Sequence, residues 1–128
     1  MKIDNMRKLF IVFVSLSGAY SVLFGAWLSH QGDLLPIESV ATLKIAHFYQ
    51  FLHTIALLAV CFYWQFTQSK AAFLTATLLS LGILLFSGSL YVKVLFACEL
   101  IGKLTPTGGI LLSLAWLSVL IHLNIRKH

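Results

Sequence analysis

From Leu9 to Ser29 the chain runs 21 residues without a charged side chain. Nothing else in the sequence constrains the fold as much. A bilayer core about 30 Å thick takes roughly 20 apolar residues per helix, and a helix satisfies its own backbone there. Three more stretches are of the same kind. Ile45–Phe66 carries no formal charge but holds His47, Gln50 and His53. Ala71–Phe96 is broken only by Lys93, and Thr107–Ile125 is closed by Arg126 and Lys127. The composition leaves little alternative: 59% of the 128 residues are hydrophobic and 10% charged, where soluble domains carry about 25% charged. A soluble enzyme and a disordered chain are both excluded.

The expectation is one all-α domain, an integral membrane four-helix bundle with up-down topology. The formal charge of +5 forms no basic stripe, which argues against nucleic acid as a partner. Its distribution speaks instead to orientation. Lys2, Arg7, Lys8, Lys70, Arg126 and Lys127 fall on one side of the four spans, and Lys44, Lys93 and Lys103 on the other. Six bases against three predict both termini in the cytoplasm. The first stretch is too long for a cleavable leader and lacks an A-x-A site.

The connections add detail. Thr67–Lys70 is short enough to make spans two and three antiparallel neighbours. Pro36 suits a first helical position, with Glu38 favouring the positive helix end. A helix from Pro36 to Phe66 would be about 46 Å long, so Pro36–Lys44 is expected as a short outer interfacial helix before span two. Thr105 reads as the N-cap of span four, with Pro106 in its first turn.

Helices associate in lipid through small residues that let backbones approach. Ser17, Ser21, Gly25 and Ser29 stand four apart on span one, and Gly88, Gly108 and Gly109 offer similar gaps on spans three and four. Such residues serve packing within the chain or a homodimer seam. Trp27, Tyr63, Trp64 and Tyr91 read as interfacial anchors, and the mid-span Trp116 as core. His122 and His128 read as interfacial. Cys61 lies too deep to pair with Cys98 at the end of span three.

Most of the polar membrane residues share one depth. His30, Tyr49, Gln50, His53, Ser87, Ser89 and Tyr91 all fall in the half away from the termini. An ionisable side chain at that depth is a candidate for function. His53, with Gln50 at i−3 and Tyr49 at i−4, is expected to face the Ser87–Tyr91 segment across spans two and three. Two readings stand: an outward-facing pocket, or hydrogen-bonding glue between helices. No carboxylate is placed to orient a histidine base, so a catalytic serine is not expected. No Cys or His spacing suggests a metal. The glycines after Pro106 would serve close packing or expose amides to an anion.

Four runs occur in order: GAWLSH at Gly25–His30, YQFLHTIALL at Tyr49–Leu58, GILLFSGSLY at Gly82–Tyr91 and LTPTGG at Leu104–Gly109. Together they resemble domain-of-unknown-function family 423, the YgdD-like small bacterial inner-membrane proteins. The resemblance implies a four-helix inner-membrane protein and no established activity. Leu28 and Ser29 replace smaller residues of the family pattern, and Phe48 stands where a base commonly precedes the Tyr-Gln pair.

Two function classes follow. One is a non-enzymatic structural or interaction module, whose partners are the lipid bilayer and a second copy or another membrane protein. The other is a small carrier or channel component with a pocket near His53. Neither calls for a cofactor or a metal.

Overall fold

A computed structural model describes residues 2–127 and the side chains of residues 2–123. The expectations for His128 and for the side chains of Arg126 and Lys127 lie outside the described residues.

Helix α1 spans Ile3–Gln31 and ends in a 3₁₀ turn, Gly32–Leu34. Helix α2 runs unbroken over Ile37–Thr67. Pro36, with ψ 144°, stands just before it as the N-cap rather than as its first residue. The expected interfacial segment is thus the first turns of α2, mostly exposed. Gln68, at φ 49°, turns the chain, and the Ser69 hydroxyl accepts the Ala71 N–H at 3.1 Å to start α3, Lys70–Ile83. A widened π turn, Leu84–Gly88, carries the helix into α4, Ser89–Leu95. A 3₁₀ turn, Ile101–Leu104, leads into α5, Thr105–Ser118, and a further 3₁₀ segment covers Val119–Lys127. Thr105 does not cap α5. Leu104 takes that place, and the Thr105 hydroxyl meets Ser89 of α4 at 2.6 Å.

Among the described residues, four helical segments are long and apolar enough to cross a membrane: Ile3–Leu34, Ile37–Thr67, Lys70–Leu95 and Ile101–Leu123. Buried positions recur every three or four residues: Val14, Ser17, Ser21, Phe24 and Leu28 on α1, and Leu43, Ala46, Gln50, His53, Leu57, Cys61 and Trp64 on α2. That spacing marks a narrow packing seam, like that of a coiled coil. The remaining faces show Leu16, Val22, Leu23, Phe62 and Leu117 outward, as a lipid-facing surface requires. Helix α1 lies along α2 and α5 along α3, so α2 and α3 form the central pair.

Two apolar clusters fill the bundle. One joins Val14, Leu57, Cys61, Trp64, Ala72, Ala76, Leu79, Ile83, Leu112 and Ala115. The other joins Phe24, Leu28, Leu43, Ala46 and Tyr91. On α1 and α2 the intervening seam positions are Ser17, Ser21, Gln50, His53 and Thr54, all buried. A polar layer therefore separates two apolar ones.

Glycine sets the spacing of spans three and four. A Cβ on Gly108 would collide with the backbone of Phe86 and lie 2.6 Å from the Leu85 carbonyl carbon. On Gly82 it would lie 2.5 Å from Leu112 Cδ2. Gly88 has nothing within 4 Å of a Cβ position, so the approach expected there occurs at Gly82 and Gly108 instead.

Candidate functional site

Gln50 is the hub of the polar layer. Its Nε2 donates to the Ser17 carbonyl and to Ser17 Oγ, both at 3.1 Å, and its Oε1 accepts the Tyr91 hydroxyl at 2.7 Å. Thr54 Oγ1 donates to the Gln50 carbonyl at 2.7 Å. Its proton so committed, Thr54 receives that of Ser17 across a 2.7 Å contact. Every polar group of the Gln50 side chain is used, as burial demands. Tyr91 is held in turn by the rings of Phe24, 4.8 Å away, and Tyr20, 5.4 Å away. One glutamine thus ties α1, α2 and α4 together. Beside it, His47 Nε2 donates to the Ser21 carbonyl at 2.7 Å.

His53 points to the other flank of α2. Its Nδ1 donates to the Tyr49 carbonyl at 2.6 Å, and its Nε2 accepts the indole N–H of Trp116 at 3.1 Å. These two bonds define a neutral ring protonated on Nδ1. The Tyr49 ring stacks on it with centroids 5.8 Å apart. A third group lies toward the termini. Ser118 Oγ donates to the Ala115 carbonyl at 2.7 Å and receives Thr75 Oγ1 at 2.7 Å, while His122 Nε2 reaches Thr75 at 3.2 Å.

The expected cluster therefore divides. Gln50 and Tyr91 meet, but His53 faces Trp116 and its own helix rather than Ser87–Tyr91. The cause is the central place of α2: residues three apart diverge by about 60° around a helix, enough to face different neighbours. Ser89 bonds the Phe86 carbonyl at 2.9 Å as well as Thr105. Ser87 is buried with no partner for its hydroxyl. Tyr49 is partly exposed, and His30 is exposed at the end of α1.

Ser17, Ser21 and Gly25 of the small-residue seam are covered by α2: a Cβ on Gly25 would lie 3.0 Å from His47 Nε2. Ser29 is exposed and bonds back to the Gly25 carbonyl. Gly109 sits 3.7 Å from the Phe86 ring by the same measure, and with Gly108 it serves packing.

Three aromatic expectations are corrected. Trp64 is fully buried and Tyr91 nearly so, as core residues rather than anchors, while Trp116 is 50% exposed rather than core. Depth along a span says nothing about which way a ring faces. Sequence reasoning also passed over Thr54 and the role of Gly82. Thr54 could have been found from its place four residues after Gln50.

Chemically, the arrangement bonds helix to helix. Among the described residues no three His, Cys, Asp or Glu side chains stand close enough to hold a metal. Cys61 and Cys98 are free thiols, the first buried.

The model of a family described as a protein of unknown function (DUF423) matches residues 24–109. A UPF0382 membrane protein of Haemophilus influenzae is 36% identical over 89% of this chain and 92% of its own. One from Staphylococcus saprophyticus is 33% identical over 89% and 95%. The UPF0382 inner membrane protein YgdD of Escherichia coli K12 is 29% identical over 89% and 88%. No solved structure matches.

Proposed function

Because this chain belongs to the DUF423 family, multi-pass membrane proteins of unknown function, we propose that it acts as a non-enzymatic module that binds another membrane component. One observation carries the reading: most of the polar side chains inside the bundle are spent on one another, and only Ser21 Oγ, Ser87 Oγ, the Trp64 indole N–H and His122 Nδ1 stand buried without a partner among the described residues. Ser17, Gln50, Thr54 and Tyr91 close one network, His53 and Trp116 a second, and Thr75, Ser118 and His122 a third. A carrier needs ionisable groups lining a path through the membrane. Here Leu57, Trp64, Ala72, Ala76 and Leu79 fill the bundle on the terminal side of the polar layer. In this reading both termini lie in the cytoplasm, on the side richer in Lys and Arg.

The test is flux through liposomes containing the full-length protein. Proton and potassium leak should equal that of empty liposomes. A leak that requires the protein and is abolished by Gln50→Leu would overturn the module reading in favour of a channel. In native membranes the protein should migrate within an assembly larger than one 14.3 kDa chain, and a monomer alone would remove the partner.

A further inference from the structure

Two adjoining cavities run down the crevice between α1 and α2. The upper, about 930 Å³, opens at the connection between these helices and is lined by Asp33, Lys44, Ser29 and His47 with apolar Leu28 and Val40. The lower, about 270 Å³, is lined by Val22, Ala26 and Phe51. Gly25 and His47 line both. Val22 and Phe51 are 67% and 46% exposed, on the surface that faces lipid. Charge at the mouth and hydrocarbon below is the polarity of a phospholipid.

The charges are specific. Among the described residues neither Asp33 nor Lys44 makes an ion pair, although both line one cavity and both are exposed. The cavity beside the α4–α5 connection differs: its Lys93 and Glu99 already meet at 3.7 Å. An unpaired acid and base lining one space complement a zwitterion. A purely anionic headgroup would leave Asp33 repelled, and a quaternary ammonium could donate it no hydrogen bond. The floor is fixed, because the His47 ring is bonded to the Ser21 carbonyl and packed on Gly25. Gly25, Leu28 and Ser29 of the GAWLSH run all line the upper cavity, a use for that motif outside the Gln50 network.

We propose that this crevice holds one phospholipid with an ethanolamine-type headgroup. Its phosphate lies at Lys44 Nζ and its ammonium at the Asp33 carboxylate. One acyl chain descends past His47 over Val22, Ala26 and Phe51. The site stands apart from the module reading and survives if that reading fails.

Native mass spectrometry of the full-length protein in detergent tests it, with phosphatidylethanolamine, phosphatidylglycerol and phosphatidylcholine added in turn. The ethanolamine lipid should be retained about tenfold better than either other, as one extra charge-assisted hydrogen bond implies. Asp33→Asn should bring the ethanolamine-to-glycerol ratio to about one, and Lys44→Gln should weaken both about tenfold. Ala26→Trp, which fills the lower track, should reduce retention of all three lipids. Equal retention of the lipids, or a preference that survives both charge variants, overturns the proposal. Free O-phosphoethanolamine binding as tightly as the lipid would make the ligand a soluble zwitterion and overturn the lipid assignment.

Discussion

Gln50 shows what a polar side chain must do inside a membrane helix. Its amide can donate twice and accept twice, and α1 and α4 supply the partners. Replacing it with leucine removes three interhelical bonds and leaves the Tyr91 hydroxyl buried without an acceptor. An average interhelical bond in a membrane is worth about 0.6 kcal/mol, and an orphaned buried hydroxyl costs about 1–3 kcal/mol. Gln50→Leu should therefore destabilise by about 2–4 kcal/mol, seen as a lower melting temperature in detergent with helical content unchanged. His53 should behave differently, because Trp116 is half exposed. His53→Ala and Trp116→Phe in a double-mutant cycle should couple by about 0.5–1 kcal/mol. A coupling near zero would mean that the indole N–H finds another acceptor when the ring is gone.

At the scale of elements, the contact of the widened turn between α3 and α4 with α5 is set by backbone meeting backbone. The widened turn at Leu84–Gly88 brings the Leu85 and Phe86 main chain against Gly108. Neither partner is a flexible side-chain end that could swing away. Gly108→Ala should therefore cost about 2–3 kcal/mol through overpacking, read as loss of the folded species on heating. Gly88→Ala meets open space. It should leave the melting temperature unchanged or raise it slightly, since alanine favours a helix interior over glycine by about 0.5–1 kcal/mol. Equal effects at the two positions would contradict the described packing. Both glycines belong to motifs conspicuous in the sequence, yet only the tertiary arrangement separates them. The close approach belongs to the pair of helices and leaves no mark on either alone.

For the whole molecule, four spans put both termini on one side, and the excess of basic residues there predicts the cytoplasm. Single cysteines in a chain carrying Cys61→Ala and Cys98→Ser decide it with an impermeant thiol reagent. Lys103→Cys should be labelled in intact cells, and Asp4→Cys only after permeabilisation. The reverse pattern would invert the protein in the membrane.

Four long apolar helices were legible in the sequence because bilayer thickness fixes the length of an uncharged helix, whatever its neighbours. The α2–α3 hairpin was legible because a four-residue connection leaves no other topology. The shared depth of Gln50, His53 and Tyr91 followed from helical rise alone. Facing was another matter. Lipid and the bundle interior are almost equally apolar, so hydrophobic periodicity cannot say which side of a membrane helix is buried. Trp64 in the core, Trp116 half outside, and Gln50 and His53 facing different neighbours of α2 were decided only when α1 and α5 packed along the central pair. Small residues and hydrogen-bonding groups, rather than hydrophobicity, determine that packing.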